Sequence, residues 1–328
     1  MGDDEDTAAI RRMAGLATPM ALRVAATLDL PGHLDGEGGA TGPLAAELGV
    51  SPVALELLLS HLTTLGCFER TAAGYRTTAF GAKIRAGLTG VLLDLNAAGG
   101  RAELAFVELL HSVTTGEGGY ARRYGQDFWT DLAERPPLRE SFDRQMALRF
   151  RGEVAQLVGG FDWGRFASVV DVGGGQGELL AGILTAQPGV RGWLVDLEPT
   201  AAEAARVLSG FGARAEVVAG SFFDPLPAGA DAYVLCDILH DWDDEHAHLV
   251  LARCVEALPA HGRLLVVEPV GDRWASTEID LAMLVIFGGR ERRVGEFEDL
   301  AAAHGLVLEA VTDVTGQRSL LEFRRADG

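Results

Sequence analysis

Short apolar runs alternate with helical stretches over the second half of the chain. The runs lie in the segments FASVVDVGGG, GWLVDLE, RAEVVAG, DAYVLCDIL, RLLVVEPV and SLLEFRR. Such alternation predicts a mostly parallel sheet with helices on both faces. In an α/β domain of this kind, ligands bind beyond the carboxyl ends of the strands.

The first part of the chain has a different pattern. From Pro19 to about Arg85 it is rich in alanine and leucine, and it predicts two helices around a glycine-containing turn, then a short strand pair within TAAGYRTTAF. This is a winged-helix outline. However, the second helix, in SPVALELLLSHLTTLG, carries no lysine or arginine, and DNA binding needs several basic contacts to phosphates. A helical module that buries leucines against a partner subunit is the better interpretation.

Residues from about 90 to 155 predict longer helices that are interrupted at Pro136 and Pro137. They resemble a connector between the two regions. No internal repeat or low-complexity segment is apparent.

Composition narrows the classes of partner. The 328 residues carry a net charge of −19, which repels nucleic acid and anionic lipid. The N-terminus is acidic, and no apolar run reaches the roughly 18 residues of a membrane span. The three cysteines are odd in number and lack metal-ligand spacing, as expected of buried thiols in a reducing compartment. We therefore expect a cytoplasmic protein without nucleic-acid or membrane partners.

A glycine turn follows the first predicted strand of the sheet, in VVDVGGGQGELL. Gly173, Gly174, Gly175 and Gly177 let a ligand approach the backbone, although a tight strand-to-helix turn alone would also need glycine. Their spacing departs from the GxGxxG dinucleotide fingerprint. Asp196 ends the next strand, where a carboxylate can accept both hydroxyls of a ribose. These residues indicate a nucleoside but do not separate a nicotinamide dinucleotide from S-adenosylmethionine.

Two later segments place further candidate side chains at the carboxyl ends of the predicted strands. VVAGSFFDPLP places Ser221 and Phe222 after the third strand, where an aromatic face can cover an adenine. DAYVLCDILHDWDD ends the fourth strand near a histidine and an aspartate, His240 and Asp241. An imidazole at the mouth of a cofactor site is a candidate general base.

The acidic segment HDWDDEHAH also suggests a metal site. Its possible ligands are Asp243, Asp244, Glu245, His246 and His248. Carboxylates at the start of a helix complement its dipole, and no histidine lies near Glu268 downstream to complete a site. We interpret the cluster as a helix N-terminus and predict no metal.

Five motifs resemble, in their order along the chain, those of the S-adenosylmethionine-dependent O-methyltransferases of plants and actinomycete natural-product pathways. They are VVDVGGGQGELL, VVAGSFFDPLP, ILHDWDDEHAHLVLARCVEALP, GRLLVVEPV and IFGGRERRVGEFEDLAAAHGL. LATPMALRVAATLDLPGHL resembles their dimerisation domain, so the resemblance spans nearly the whole chain. It implies a Rossmann-like class I methyltransferase domain with an N-terminal helical winged-helix dimerisation domain. The implied boundaries are 1–95 for dimerisation, 96–155 for a connector that contributes to the substrate pocket, and 156–328 for cofactor binding.

The resemblance also implies roles for individual residues. The turn from Gly173 to Gly177 would hold the methionine part of the cofactor, Asp196 its ribose, and Leu197 with Phe222 its adenine. His240 would be the general base, next to Asp241; Glu291 would orient it and Glu268 would be the carboxylate on its other side. In two positions the chain departs from plant members: Cys236 replaces a lysine, and Ser221 replaces an acidic residue, so the adenine-side contacts must differ.

The acceptor implied by the resemblance is a flat hydroxylated aromatic, with bacterial naphthoate and anthracycline methyltransferases as the most similar members. The apolar residues that would enclose it are Trp129, Phe142, Met146, Phe150, Met283, Ile286 and Phe287. A homodimer is implied, in which Met20 would enter the partner's site. The alternatives are an oxidoreductase, disfavoured by the glycine spacing, and a non-methylating or C-methylating member that keeps the cofactor site.

Overall fold

A computed structural model describes residues 4–273 and 276–326. The chain forms two compact units. The first contains residues 4–101 and Arg135–Gln145, and the second contains Ala102–Glu134 and the described part of residues 146–326. Each unit is described by itself below.

The first unit is mainly helical. Its elements up to residue 95 are α1 Glu5–Ala14, α2 Ala17–Thr27, α3 Leu30–His33, α4 Thr41–Leu48, α5 Pro52–Thr64, β1 Phe68–Thr71, β2 Gly74–Thr77 and α6 Gly87–Leu93. Ser51 caps α5 by accepting the N–H of Ala54, and Pro52 occupies the first turn. The antiparallel strand pair begins at Phe68, earlier than the predicted TAAGYRTTAF.

Six helices follow before the sheet. They are α7 Ala98–Glu103, α8 Leu109–Thr115, α9 Gly119–Tyr124, α10 Phe128–Glu134, α11 Pro136–Arg151 and α12 Val154–Gly159. The predicted interruption is confirmed, because α10 ends at Glu134 and α11 starts at Pro136, where a proline lacking its N–H is tolerated.

The second unit contains a seven-stranded sheet of order β5-β4-β3-β6-β7-β9-β8. Neighbours from β5 to β7 are parallel, whereas β9 pairs antiparallel with β7 and β8. The mostly parallel sheet is confirmed, and β8 is an additional strand. The strands are β3 Ser168–Val172, β4 Arg191–Asp196, β5 Ala215–Ala219, β6 Ala232–Cys236, β7 Arg263–Glu268, β8 Leu306–Asp313 and β9 Ser319–Arg325.

Helices cover both faces of this sheet. Alternate residues of a strand point to opposite faces, and accordingly Val170 and Val172 belong to one buried apolar cluster while Val169 belongs to another. The strand order reverses at β3, so the carboxyl ends of β3, β4, β6 and β7 form the expected ligand edge. The remaining helices are α13 Glu178–Ala186, α14 Thr200–Leu208, α15 Asp244–Ala257, α16 Thr277–Phe287 and α17 Val294–Ala302.

Within the described residues, no single helix is both long and apolar enough to cross a membrane. Only α4 and α5 taken together meet that criterion, and the pair is bent by 116°.

Candidate functional site

The glycine turn after β3 has a backbone that side chains would obstruct. Gly173 and Gly175 have φ of 72° and 59°, in the left-handed region that favours glycine. A Cβ on Gly173 would lie 2.5 Å from Ile238 Cδ1, and one on Gly174 would lie 2.7 Å from Asp171 Cγ. A Cβ on Gly175 would meet no atom within 4 Å. The turn is therefore packed on its inner side and open on its outer side, as a ligand cradle requires.

Asp196 lies at the end of β4, directly beside this turn. The N–H of Gly175 donates to Asp196 Oδ2 at 2.8 Å, and the N–H of Leu197 donates to Oδ1 at 2.7 Å. These bonds hold the carboxylate against the turn. The Leu197 side chain is exposed beyond it.

Asp171, the last carboxylate before the glycines, is a site residue that our sequence-based selection omitted. It is buried, and its Oδ2 has no hydrogen-bond partner in the described structure. Burial, together with the nearby charges of Asp196 and Glu178, raises the pKa of Asp171 to about 7. A cationic ligand at the turn would favour the ionised form, so this orphaned oxygen fits a sulfonium or ammonium group. Its position, at the end of a buried strand next to glycines, was a usable signal.

The predicted adenine-side residues lie at the ends of β5 and β6. Ser221 Oγ accepts the N–H of Phe223 at 3.1 Å, and the half-buried Phe222 ring packs edge-on against Phe223 and Trp242. Cys236 is the last residue of β6, and burial raises the pKa of its thiol well above its usual value. All three cysteines are buried and free, as predicted.

His240 lies in a buried group of carboxyl side chains. Its Nδ1 is 3.1 Å from Glu291 Oε1 and 3.6 Å from Glu268 Oε2, while its Nε2 is 3.5 Å from Asp241 Oδ1. The two glutamates therefore meet at one nitrogen, which corrects the expectation that they flank the ring on two sides. Because carboxylates only accept hydrogen bonds, Nδ1 carries a proton and Nε2 is the nitrogen left for a ligand.

The backbone around His240 is fixed from two directions. Glu268 Oε1 accepts the N–H groups of Ile238 and Leu239 at 2.9 and 2.7 Å. The fully buried Arg292 donates to the carbonyls of Leu239 and Trp242 at 2.5 and 2.8 Å. Sequence reasoning missed Arg292, although it directly follows Glu291, because the carbonyls that it binds lie about 50 residues away along the chain. The histidine is consequently held by its backbone as well as by its ring.

The carboxyl groups control the charge of His240. Burial lowers its pKa, but Glu268, Asp241, Glu291 and Asp237 outweigh burial and raise it to about 10. Burial in turn raises the pKa of Glu268 and of Asp241, although His240 opposes this effect. The cluster therefore shares protons between one imidazole and several carboxylates.

A second ionic network borders the histidine. Asp237 follows β6 with φ 53°, and Arg318 donates to both of its carboxylate oxygens at 2.7 and 2.6 Å. Arg318 also donates to Glu153, and Arg149 Nη2 is 3.4 Å from Asp237 Oδ2. Sequence reasoning missed Asp237, Arg318 and Glu153. Their separation of up to 165 residues along the chain left no local signal.

The structure brings together some of the residues that were predicted to line the acceptor pocket. Trp129 stacks between Phe287 and Trp242, with ring centroids 5.4 and 6.0 Å apart and interplanar angles of 20° and 16°. Met283 is buried in α16, and Met146 is half-buried in α11. Phe142 belongs to the first unit, as does Met20, so their contribution stays a prediction.

Three side chains that could bind a metal lie close together. Asp237, His240 and Glu268 have ligand atoms within 4.8 Å of one another. Arg318 already occupies both Asp237 oxygens, and backbone N–H groups occupy Glu268 Oε1. In the acidic segment, Asp243 accepts the N–H of His246 as the N-cap of α15, which confirms the predicted helix N-terminus.

The comparisons with known proteins agree with this geometry. Residues 106–307 match the O-methyltransferase domain model and residues 10–84 match the O-methyltransferase dimerisation domain model. The chain is 44% identical to the 2,7-dihydroxy-5-methyl-1-naphthoate 7-O-methyltransferase of Streptomyces carzinostaticus, covering 93% of this chain and 94% of that protein. It is 39% identical to the aclacinomycin 10-hydroxylase RdmB of Streptomyces purpurascens, covering 96% and 89%.

A solved structure is similar over almost the whole chain. It is an O-methyltransferase from neocarzinostatin biosynthesis in complex with S-adenosylmethionine and 2-hydroxy-5-methyl naphthoic acid. It is 42% identical, with a TM-score of 0.90 and coverage of 96% of this chain and 98% of that one. Together with the glycine turn and the buried histidine, these matches establish that the chain belongs to the S-adenosylmethionine-dependent O-methyltransferase family, with an N-terminal dimerisation domain.

Proposed function

We propose that the enzyme methylates a phenolic hydroxyl of a polycyclic aromatic polyketide, of naphthoate or anthraquinone type, in natural-product biosynthesis. The observation that supports this most is the buried His240, held by Glu291 and Glu268 at the ligand edge of the sheet. The similarity to a hydroxynaphthoate methyltransferase supports the acceptor class. We further propose that the protein is cytoplasmic and acts as a homodimer, with residues 1–95 for dimerisation, 96–155 as connector and 156–328 for catalysis.

The cofactor-binding residues surround the glycine turn. Gly173, Gly174 and Gly175 would hold the methionine part beside Asp171, and Asp196 would hold the ribose. Leu197 and Phe222 would enclose the adenine, with Ser221 and Cys236 at its edge. When bound, the cofactor supplies an electrophilic methyl group on a sulfonium.

His240 is suited to take the proton of the acceptor. A phenol has a pKa of about 10, so little phenolate exists at neutral pH. The carboxylates raise the pKa of His240 to about 10 as well, and proton transfer between matched groups costs little free energy. Glu291 fixes the ring through Nδ1, so Nε2 receives the proton, and Asp241 lies beside the imidazolium that forms.

Positioning is the second contribution of these residues. Trp129 and Phe287, with Met146, Met283 and Phe142, would hold a flat acceptor by its faces and exclude water. Fixing the acceptor oxygen in line with the methyl carbon makes the step effectively unimolecular, which contributes several kcal/mol on typical effective molarities, about 7–11.

The acceptor proposal is tested by mass spectrometry of reactions with S-adenosylmethionine and a panel of hydroxynaphthoates and hydroxyanthraquinones. We expect one acceptor class to gain a methyl group. Because the chain is similar to a hydroxylase, the mass spectra should also be searched for acceptors that gain oxygen in place of a methyl group. Binding of S-adenosylmethionine without methylation of any acceptor would overturn the proposal in favour of a non-methylating member; a methyl on carbon would favour the C-methylating alternative.

The activity should rise with pH. Only neutral His240 accepts a proton, and Asp237, Asp241, Glu268 and Glu291 together keep it protonated at neutral pH. We expect kcat/KM to increase through neutral pH, and the Glu291→Gln variant, which has one carboxylate fewer, to reach its plateau at lower pH. Identical pH profiles for the two proteins would contradict this assignment.

The raised pKa of His240 also makes the stability of the folded chain depend on pH. His240 binds its proton more tightly in the folded chain than in the unfolded chain, whose value is about 6.5. Its stabilisation is therefore complete below that value and is lost as the pH rises through the folded pKa.

Gly289, in the loop that follows α16, lies close to the backbone of His240. A Cβ on Gly289 would overlap the carbonyl oxygen of His240. We expect Gly289→Ala to displace the base and lower kcat/KM by roughly 10²-fold, as a misplacement of about 1 Å can. The matched control is Gly295→Ala in α17, where a Cβ meets no atom within 4 Å and alanine favours the helix. Equal activity of both variants would show that the base tolerates displacement.

A further inference from the structure

Two arginines approach Asp237, and they differ in how their donors are used. Arg318 is 1% exposed, and it donates from Nε and Nη2 to Asp237 and from Nη1 to Glu153. Every nitrogen of this guanidinium has a carboxylate partner. Arg318 therefore neutralises Asp237, and each of its nitrogens is already engaged with a carboxylate.

Arg149 has the opposite character. Its side chain is 25% exposed, and its one ionic contact is the 3.4 Å approach of Nη2 to Asp237 Oδ2. Within the described residues, 4–273 and 276–326, Arg149 makes no hydrogen bond through its side chain. A guanidinium carries five N–H donors in a fixed fork, which suits bidentate binding of a carboxylate. Arg149 is thus a mostly buried cation whose donors are available.

The position of Arg149 relates it to the acceptor. It contacts Asp237, whose carboxylate lies within 4.8 Å of the nearest His240 and Glu268 ligand atoms. Burial raises the pKa of Asp241, the group beside His240 Nε2, and the charge of Arg149 opposes that rise. Arg149 therefore lies close to the group of carboxylates that surrounds His240.

We propose that Arg149 binds a carboxylate of the acceptor adjacent to the hydroxyl that is methylated, so that the enzyme selects aromatic hydroxy acids over neutral phenols. This inference rests on the proposed function and names its acceptor more closely. Asp237, tied to Arg318 in a left-handed backbone conformation, acts as the positioning residue that keeps the guanidinium beside His240. An acceptor carboxylate completes the hydrogen bonds that Arg149 lacks.

The test uses two acceptors that differ only in the carboxylate, a hydroxynaphthoic acid and the corresponding naphthol. The full-length enzyme is compared with Arg149→Gln, Arg149→Lys and the control Arg151→Gln, an exposed arginine on the same helix. We expect Arg149→Gln to lower the ratio of kcat/KM for the acid to that for the naphthol by roughly 10- to 100-fold, mostly through KM, because a hydrogen-bonded charge pair is lost. Lysine should restore part of the ratio, and Arg151→Gln should leave it unchanged.

A binding measurement separates this inference from the proposed function. Tryptophan fluorescence is titrated with the naphthoic acid in the presence of S-adenosylhomocysteine, and Arg149→Gln should raise the Kd by a similar factor. If the wild type methylates neither acceptor, the proposed function fails while the titration still tests anion binding. An unchanged ratio together with an unchanged Kd in Arg149→Gln would overturn the inference.

Discussion

Replacing His240 with alanine is expected to lower kcat by about 10²–10⁴-fold, the usual contribution of a positioned general base. The reason is that the acceptor phenol would lose the imidazole that lies at the carboxyl edge of the sheet between Glu291 and Asp241. Binding of S-adenosylmethionine, measured by calorimetry, should change little, because its proposed contacts are at the glycine turn.

The matched control is His261→Ala. His261 is 72% exposed and precedes β7, at the amino end of the strands and therefore at the opposite edge of the sheet from the site. Its loss should leave kcat unchanged. Full activity of the His240→Ala variant would assign the rate to positioning alone.

The second large effect concerns stability. Replacing Arg318 with methionine is expected to lower the free energy of unfolding by about 3–5 kcal/mol, because a buried charge loses its partner. Asp237 is only 6% exposed, and the remaining cation, Arg149, is 3.4 Å away without a hydrogen bond. Urea unfolding at one fixed protein concentration measures the change.

Two variants make this result specific. Arg273→Met breaks the exposed pair with Asp313 and should cost less than about 1 kcal/mol. Adding Asp237→Asn to Arg318→Met should recover much of the loss, since asparagine removes the charge and tolerates the left-handed conformation at φ 53°. Equal stability of the Arg318 and Arg273 variants would show that the Asp237 carboxylate is not effectively buried.

The pH dependence of this network has the opposite sign to that of His240. Burial raises the pKa of Asp237, but Arg149 and Arg318 outweigh burial and lower it below its usual value of 3.8. Its stabilisation is present above the unfolded pKa and is lost as the pH falls towards the folded pKa.

The sheet was largely predictable because its inner strands are short continuous apolar runs, such as SVVDV in β3 and AYVLC in β6. The edge strand β8 escaped prediction because most of its residues are partly or fully exposed, so that LVLEAVTD has no clear buried run. Similarly, the small hairpin was displaced, because β1 has only Phe68 buried at its start.

Only some residues of the site could be predicted from the sequence. Asp196 and His240 could be found because they follow apolar strands, and ligands bind at strand ends. Glu291 is 51 residues from His240 along the chain, and only the family resemblance indicated it. Arg318 reaches Asp237 across 81 residues, because it directly precedes antiparallel β9 next to β7. Local pattern contains no information about such a pairing.

Whether His240 deprotonates the acceptor during methyl transfer can be tested directly by varying the acidity of the acceptor. Single-turnover rates of wild type and His240→Ala are measured at one pH with a series of substituted hydroxynaphthoates of decreasing phenol pKa. We expect the ratio of the two rates to fall towards one as the acceptor ionises without help. A ratio that stays constant across the series would contradict the role of His240 as the base.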